Sequence, residues 1–444
     1  MFESPFLLSL TKTMKRIYTL YLACCTCLTA LAENPPFRIA ENLFDHTITT
    51  TLGLDWAPGL ETITIFSPTD ETDHYSNGVV LADFKGDLYC MWQSSKQDED
   101  AEDTWVAYSR STDQGLTWTA PMVLCPTIAD GFCASGGWLA TDDKLIAFIN
   151  VRTKDIANNG GYTQYMESTD GLTWSKPQDV KMADGTPLNG IFEQDPHKLS
   201  DGRIIGAAHF QPGLKLCPIY TDDPTGRTGW KKGQFQYTDN GAQSVELEPS
   251  FFLQQDGTLV MTMRDQKGSY KVLAATSSDR GETWAKAVKT NMPDSRAKQC
   301  AGNLPDGTAF IVNNPINTNK PRTPLALTLS SDGVTFGQSW LLRGGDDLPA
   351  QRYTGKAKTL GYSYPKAMQS NGYLYVGYST NKDDVQCARI PISELLLNTS
   401  GIDIASTTDT NFKIEGPVLC IMPGVYMAKI RTKDGIQTKK FVLK

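Results

Sequence analysis

The sequence predicts an all-β protein folded as a six-bladed β-propeller, with seven blades as the alternative and a short β appendage at the C-terminus. Two patterns predict this fold: a turn motif that recurs at spacings of 57, 109 and 53 residues, and a strand–turn–strand pattern in phase with it. The composition agrees, because 20% charged residues, 37 glycines and 9 tryptophans suit strands and tight turns better than helical bundles. The formal net charge of −7 disfavours a nucleic-acid partner.

The turn motif follows the pattern Ser-x-Asp-x-Gly-x-Thr-Trp or a close variant. Its copies are STDQGLTW at 111–118, STDGLTW at 168–174, SSDRGETW at 277–284 and SSDGVTF at 330–336, with a degenerate TDDPTGRTGW at 221–230. The Asp and Ser side chains can accept hydrogen bonds from turn amides, and the Gly can adopt positive φ. The closing Trp supplies apolar area for packing between blades. We therefore assign the motif a structural role.

Six strand–turn–strand copies accompany these motifs and predict one blade each. They are NGVVLADFKGDLYCMW, GGWLATDDKLIAFI, PHKLSDGRIIGAAHF, EPSFFLQQDGTLVMTMR, AGNLPDGTAFIVN and YPKAMQSNGYLYVGY. The strand ETITIF at 61–66 is expected to lie beside CARIPI at 387–392 and to close the last blade. The propeller is thus expected to span residues 60–398.

The two ends of the chain have a different character from the repeats. Residues 1–32 read as a signal peptide, with a basic region, an apolar run and the small-x-small signal Ala30-Leu31-Ala32. We therefore expect export, to the periplasm, the outer-membrane surface or the medium. Residues 33–59 form an N-terminal segment, and residues 399–444 predict a β hairpin that resembles the C-terminal sorting domains of exported Bacteroidetes proteins.

The cysteine pattern indicates neither a metal centre nor a disulfide framework. Seven cysteines remain after the signal peptide, without a CxxC pair. No metal and no cofactor are expected, and no apolar run of about 18 residues predicts a membrane-spanning helix.

The residues that open the inner strands of the blades are more polar than strand interiors usually are. The first strand of each propeller blade lines the central channel, so these residues should converge on one place. The candidates from this reasoning are His74, Tyr75, Asn77, Glu193, Gln194, Asp195, His197, Glu246, Glu248, Tyr362 and Tyr364. The ends of the second strands add His209 and Arg264, and Arg322 precedes the next strand of blade five. Three of the four histidines are among these candidates.

These motifs resemble the Asp-box, or BNR, repeats of the sialidase superfamily, and the resemblance covers roughly residues 60–395. The segment SVELEPSFFLQQDGTLVMTMRDQKG is similar to the fourth blade of sialidases. By that resemblance Glu248, or Glu246, activates a tyrosine and Arg264 binds the substrate carboxylate. The segment PRTPLALTLSSDG implies a second such arginine, Arg322.

The same resemblance implies the remaining catalytic groups. GYSYP resembles the segment that carries the nucleophile, which is Tyr362 or, in the alternative register, Tyr364. The acidic loop QDEDAEDTW stands where sialidases have an acid/base aspartate, and Glu99 and Asp100 fit best. His197 is a further candidate catalytic residue.

The implied chemistry is coherent with these residue types. A tyrosine hydroxyl has an ordinary pKa of about 10 and needs a neighbouring base before it can attack an anomeric carbon. Guanidinium groups pair with a carboxylate through two parallel hydrogen bonds, and a carboxylic acid protonates the leaving oxygen.

One departure from the sialidase pattern bears on the substrate. Sialidases open the first blade with Arg-Ile-Pro, where this chain has His74-Tyr75-Ser76-Asn77, and Arg38 lies too far upstream to replace that arginine. Losing one partner of a buried carboxylate costs on the order of 2–5 kcal/mol of binding. The histidines point instead to an altered acidic or deoxy sugar. In some related propellers of gut bacteria the site lies on the opposite face, where His46 would be the histidine to consider.

Three functions follow as hypotheses. The first is an exported, exo-acting glycoside hydrolase that removes a terminal acidic or acid-linked sugar, such as sialic acid or a rhamnose that caps glucuronic acid. The second is a lyase acting on a uronate-containing polysaccharide, and the third is a non-catalytic glycan-binding propeller. In each case the partner is a glycan, and we expect a monomer.

Overall fold

The computed structural model describes residues 34–155, 160–211, 215–238, 244–399, 424–432 and 435–443. The expected signal peptide lies outside these residues. Contacts divide the chain into residues 1–395 and residues 396–444. Within the described ranges, no helix is long and apolar enough to cross a membrane.

Six antiparallel sheets make up the first unit, which confirms the prediction of a six-bladed propeller. Blade 1 contains Tyr75–Phe84, Asp87–Ser95, Trp105–Ser111 and Met122–Cys125; blade 2 contains Gly131–Ala140, Leu145–Thr153, Tyr162–Ser168 and Gln178–Asp179. Blade 3 contains Gly190–Phe192, His197–Lys198, Ile204–Phe210, Lys215–Thr221 and Lys231–Lys232; blade 4 contains Glu246–Leu253, Leu259–Asp265, Lys271–Ser277 and Val288–Pro293. Blade 5 contains Cys300–Asn303, Ala309–Asn313, Leu325–Ser330 and Gln338–Arg343; blade 6 contains Tyr362–Ser370, Tyr373–Thr380, Asp384–Pro391 and, from the N-terminal side, Glu61–Phe66.

The N-terminal strand closes the ring as the sequence predicted. Glu61–Phe66 pairs antiparallel with Asp384–Pro391, and Ile63 lies opposite Cys387. The short strand Arg38–Ile39 pairs in parallel with Thr335–Phe336 instead of starting a seventh blade. A helix, Ile392–Thr399, follows the last blade strand. The second unit contains an antiparallel hairpin of Gly424–Thr432 and Gly435–Leu443.

Each turn motif closes on itself through its own side chains. In the first copy, Asp113 Oδ1 accepts from the Thr117 amide at 2.9 Å and from Ser111 Oγ at 2.8 Å. Gly115 has φ +84 and donates its amide to Ser111 Oγ, and Trp118 Nε1 returns to the Gly115 carbonyl at 2.9 Å. These bonds, led by those from Thr117, lower the pKa of Asp113 to about 2. The motif therefore braces the outer turn of the blade.

Four inner strands contain a β-bulge. We call the end of the channel at which the inner strands begin the front. The register shifts between Asn77 and Val80, Ser135 and Gly137, Leu247 and Ser250, and Ser363 and Lys366. Glu248 and Tyr364 occupy two of these bulges with φ +51 and +56, where non-glycine residues are uncommon. A bulge changes the direction in which a side chain points. A non-glycine residue with positive φ costs of order 1–3 kcal/mol, and such residues cluster at functional sites.

The inner strand of blade 3 is interrupted, and its residues 193–196 cross the channel. Gln194 Nε2 donates to the Gln299 carbonyl of blade 5 at 2.8 Å, and Asp195 lies 3.4 Å from Lys366 Nζ of blade 6. A Cβ on Gly137 of blade 2 would stand 2.7 Å from the Asp195 Cα, so only glycine fits there. The segment separates the front of the channel from the back, where the inner strands turn into their partners.

Candidate active site

Glu248 and Arg264 form an ion pair on neighbouring strands of blade 4. Arg264 Nη1 lies 3.0 Å from Glu248 Oε2, and the side chains are 15% and 12% exposed. Burial alone would lower the pKa of the guanidinium, but Glu248 and Tyr364 raise it above its ordinary value. The structure thus brings together the carboxylate and the arginine that the sequence selected in this blade.

The alternative carboxylate, Glu246, lies elsewhere. It is fully buried, and its Oε1 accepts from the Thr238 amide at 2.9 Å and from the Thr238 hydroxyl. Glu246 lies before the bulge, opposite Asp265, whereas Glu248 lies in the bulge and pairs with Arg264.

Of the two tyrosines in GYSYP, the structure brings Tyr364 to this pair and holds Tyr362 apart. The guanidinium carbon of Arg322 lies 4.8 Å from the centre of the Tyr364 ring, and Lys382 Nζ and Lys298 Nζ lie 5.3 Å and 5.5 Å from it. Tyr362 is fully buried, edge-on against Tyr378 and 4.8 Å from the Arg343 guanidinium. Burial raises the pKa of Tyr362 to about 12.

Tyr362 is the first choice from the sequence, with Tyr364 in the alternative register, whereas in the structure it is Tyr364 that lies beside Arg264 and Arg322. Alternation along an ideal strand gave no means of separating residues 362 and 364, since both face the same side. The bulge between Ser363 and Lys366 breaks that equivalence.

Glu99 and Asp100 lie on the same front loop, but their pKa values are shifted in opposite directions. Glu99 Oε1 accepts from Tyr75 Oη at 2.6 Å, from Lys382 Nζ at 2.8 Å and from Asn77 Nδ2 at 3.3 Å. Burial would raise the pKa of Glu99, but Lys382 and Tyr75 outweigh it and hold that pKa below the ordinary value. Glu99 is thus a fixed anion.

The side chain of Asp100 is exposed at the surface. The protein around it removes part of its hydration and so raises its pKa; Arg152 lowers this pKa and Glu99 raises it. A carboxyl group whose pKa is raised is better suited to donate a proton. Of the two sequence candidates, Asp100 is the one whose pKa is raised.

Two guanidinium groups near these residues have no carboxylate oxygen within 4.0 Å among the residues that the structure describes. Arg322 is 5% exposed and donates from Nη1 to Ser363 Oγ at 3.2 Å, and its Nε has no partner. Arg152, beside Asp100, likewise has a buried and unpartnered Nε. A buried guanidinium nitrogen without a hydrogen-bond partner favours an anionic ligand.

Glu193, Lys298 and His209 extend the site toward blades 3 and 5. Glu193 Oε1 lies 2.9 Å from His209 Nδ1, and its other oxygen lies 3.6 Å from Lys298 Nζ. Burial would raise the pKa of Glu193, but His209 and Lys298 lower it well below the ordinary value. His209 is 2% exposed, so its side chain contacts Glu193 and does not face solvent.

The front cluster comprises Glu99, Asp100, Glu248, Arg264, Arg322, Tyr364 and Lys382. Besides Glu246 and Tyr362, further sequence candidates lie away from it. His74 stacks on Tyr353 at 3.8 Å between ring centres, and its Nε2 lies 3.1 Å from the Thr69 carbonyl. Asp195 and His197 line a separate cavity on the back side of residues 193–196. His46 is exposed in the N-terminal segment and lies outside the lining of that cavity.

Several residues of the site carried too little sequence signal to be selected. Lys382 lies in a tight turn that reads as solvated, but it is 2% exposed with φ +55. Asp294 is buried near Arg264 and Arg322, and burial raises its pKa to about 7. Arg152 and Lys298 lie outside the motifs. Within the described ranges, no group of three or more His, Cys, Asp or Glu residues could hold a metal ion.

The chain matches known proteins across the propeller. A family model described as a BNR repeat-like domain matches residues 86–376. A sialidase of Bacteroides fragilis is 25% identical in an alignment of 273 residues that covers 53% of this chain and 48% of the relative, so the chain spans about half the length of that protein. Among solved structures, a Hadza microbial sialidase has a TM-score of 0.60 at 16% identity over 75% of this chain and 68% of its own. Trypanosoma rangeli sialidase in complex with sialic acid has a TM-score of 0.55 at 16% identity over 78% of this chain and 61% of its own.

Proposed function

The chain belongs to the BNR repeat-like family, and from this we propose that it is an exo-acting glycoside hydrolase of the sialidase superfamily that removes a terminal sugar bearing a carboxylate. The observation that carries the proposal is the arrangement of Tyr364, Arg322, Arg264 and Glu248 at the front of the channel. The relative from Bacteroides fragilis is a sialidase, which supports a glycosidase of this class.

Tyr364 is the proposed nucleophile and Glu248 its base. Both contact Arg264, whose pKa is raised by the two groups together. In the first step the Tyr364 hydroxyl oxygen bonds to the anomeric carbon, its proton passes to Glu248 and the bond to the leaving oxygen breaks. Water then attacks the same carbon, the bond from that carbon to the Tyr364 oxygen breaks, and Glu248 returns its proton to that oxygen, so that two inversions give net retention of configuration.

Asp100 is the proposed acid. Its raised pKa keeps a larger fraction protonated than an ordinary aspartate would have. It donates to the leaving oxygen in the first step and accepts a proton from water in the second. Glu99, held ionised by Lys382, is assigned to positioning Tyr75 and Asn77.

Arg322 and Arg264 are the proposed carboxylate clamp. Arg322 has no carboxylate of its own within 4.0 Å among the described residues, so a bound anion would give it a partner. Arg264 would exchange part of its contact with Glu248 for the substrate. The inner strand of blade 1 contains no arginine, and Lys382 Nζ lies 5.6 Å from the ring centre of its Tyr75. A lysine ammonium is a point charge and lacks the planar guanidinium of arginine. We therefore expect an acidic sugar whose carboxylate is held by two guanidinium groups instead of three.

We further propose that the protein is exported, because the glycans that such an enzyme trims lie outside the cell. The sequence features of residues 1–32 are those of a signal peptide.

The test is release of sugar from defined glycans. The protein is incubated with 3′-sialyllactose and with a rhamnose-capped arabinogalactan, and free sugar and absorbance near 235 nm are followed. Free sialic acid that disappears in Tyr364→Phe supports the proposal. Rhamnose release would assign the acid-linked sugar instead, rising absorbance would assign a lyase, and no product from either glycan or a wider acidic panel would overturn the hydrolase.

A further inference from the structure

Two cysteines meet at the seam between blades 1 and 2. Cys125 is the last residue of the blade 1 strand Met122–Cys125, and Cys133 lies in the inner strand of blade 2, Gly131–Ala140. Their Sγ atoms are 3.2 Å apart, and the two residues are 4% and 0% exposed. The fold thus places two thiols in direct contact inside the protein.

The sheets on both sides of the seam hold these thiols in place. Cys125 is paired with Val106 of its own blade, and Cys133 is paired with Val151. All four residues belong to one buried core cluster that spans the two blades. Because the backbone of each cysteine is fixed in a sheet, the two sulfur atoms are preorganised to react with each other.

Among the residues that the structure describes, no other cysteine has a sulfur atom as a hydrogen-bond partner. Each remaining thiol donates to the backbone carbonyl of the next residue; these are Cys90, Cys217, Cys300 and Cys387. Cys90 and Cys387 share a core cluster and therefore offer a comparison pair.

The Cys125 and Cys133 thiols need little movement to form a disulfide. A disulfide joins its sulfur atoms at ~2.05 Å, so about 1.2 Å remains to be closed. Disulfides form and persist in oxidising compartments and are rare in cytosolic proteins. In an exported protein, two buried thiols in contact are therefore expected to be oxidised.

We propose that Cys125 and Cys133 form a disulfide that links blade 1 to blade 2. The inference takes its oxidising setting from the proposed export, and it does not rest on the proposed hydrolase activity.

The reaction is thiol–disulfide exchange, with a protein or small-molecule disulfide as the oxidant. One cysteine thiolate attacks the oxidant, forms a mixed disulfide and releases one thiol. The second cysteine thiolate then attacks the cysteine sulfur of that mixed disulfide and releases the other thiol. The two protons and two electrons that the pair loses convert the oxidant into two thiols. Because both cysteines are buried in the fold, the exchange takes place while the chain folds.

The link would restrain one side of the front cluster. Phe132, next to Cys133, lies opposite Arg152, whose guanidinium carbon is 5.7 Å from the Phe132 ring centre. A covalent bond at the adjacent residue therefore restrains the strands that carry this arginine beside Asp100. The loop that the disulfide closes is short, so its entropic stabilisation is smaller than that of a long loop.

The test determines the redox state of one peptide. The full chain is directed to a bacterial periplasm by an added leader, so that the result does not depend on residues 1–32, and is also produced in the reducing cytoplasm. Free thiols are alkylated in denaturant and the protein is digested with trypsin. Residues 111–144 have Lys144 as their only Lys or Arg, so one tryptic peptide contains Cys125, Cys133 and no other cysteine. We expect this peptide from the periplasmic protein to take up no alkyl group and to lack two hydrogen atoms, whereas the cytoplasmic protein takes up two alkyl groups.

Thermal melting with and without reductant measures the effect of the link. We expect reductant to lower the Tm of the periplasmic wild type by at least about 2 °C and to leave the Tm of Cys125→Ala/Cys133→Ala unchanged. The matched control is Cys90→Ala/Cys387→Ala, which should keep the wild-type response because its own cost to the core is the same with and without reductant.

The proposal is overturned if residues 111–144 of the periplasmic protein take up two alkyl groups, or if either cysteine is linked to a different one. It is also overturned if reductant leaves the Tm of the wild type unchanged, or if Cys125→Ala/Cys133→Ala keeps the wild-type response.

Discussion

Arg322 lies over the face of Tyr364, with 4.8 Å between the guanidinium carbon and the ring centre. The cation is nearly buried and has no carboxylate within 4.0 Å among the described residues, while Tyr364 occupies a bulge with positive φ. A tyrosine with positive φ and a buried arginine without a directly paired carboxylate are costly to the fold, and a bound anionic substrate would offset part of that cost.

The two tyrosines of GYSYP should differ sharply in their effect on catalysis. Tyr364→Phe is expected to lower kcat by at least about a hundredfold, because it removes the attacking hydroxyl. Tyr362→Phe should leave kcat within a few-fold of wild type, because that hydroxyl is buried beside Arg343. Steady-state kinetics on the best substrate compare them, and a larger loss in Tyr362→Phe would restore the other register.

The two glutamates of blade 4 offer a matched pair. Glu248→Gln should lower kcat at least about a hundredfold, in the range of general acid–base contributions. Glu246→Gln keeps an acceptor for the Thr238 amide and should leave kcat near wild type. Equal losses in both variants, with equal drops in Tm, would mean that blade 4 is structural.

Arg322→Gln should act mainly on substrate binding. Removing one charged partner of a buried carboxylate costs roughly 2–5 kcal/mol, so KM for an acidic substrate should rise at least about thirtyfold. Arg110→Gln, which disrupts an outer ion pair with Asp87, serves as the control and should leave KM unchanged. An unchanged KM in Arg322→Gln would exclude this arginine from the clamp.

The alkaline limit of activity should move in Arg152→Gln. Arg152 favours the ionised form of Asp100 and so lowers a pKa that burial raises. Without this cation the pKa of Asp100 rises, the acid stays protonated to higher pH, and the alkaline limb of kcat/KM shifts upward. The pH–rate profiles of wild type and variant measure this; a downward shift would assign the limb to another group.

Asp294 should make stability depend on pH. Its pKa is about 7 in the fold, raised mainly by burial, against an ordinary value of 3.8. The folded protein therefore loses stability as pH rises from about 4 to 7, because the unfolded chain gives up this proton first. Urea unfolding at pH 5 and pH 8 measures the free energy of unfolding of both proteins. The value for Asp294→Asn, relative to that of wild type, should be larger at pH 8 than at pH 5. A constant difference between the two proteins would contradict the raised pKa.

The fold was predictable because each blade repeats the same local signals. The Asp113 and Gly115 positions recur with the hydrogen bonds that their side chains and backbone require, and the closing strand Glu61–Phe66 carries a plain alternating pattern. Glu248, with Glu246 as the alternative, and Arg264 were selected through the resemblance to the fourth blade of sialidases, and the structure pairs Glu248 with Arg264.

The details of the site were less predictable because they depend on departures from the repeat. The bulge at Tyr364 and the crossing of the channel by residues 193–196 change which side chains meet, and neither has a local sequence signature here. For this reason Asp195 and His197 were grouped with the front residues although they line the back cavity. Lys382 was missed because burial of a turn lysine depends on distant partners such as Glu99.

The central claim is that Tyr364 forms a covalent bond to the sugar, and trapping that intermediate tests it most directly. A fluorinated glycosyl fluoride of the substrate that is turned over would slow hydrolysis of the intermediate, and peptide mass spectrometry would locate the adduct. We expect one sugar on the peptide that contains Tyr364, absent in Tyr364→Phe. An adduct on another residue, or full turnover of the analogue with no adduct at any time, would contradict the account.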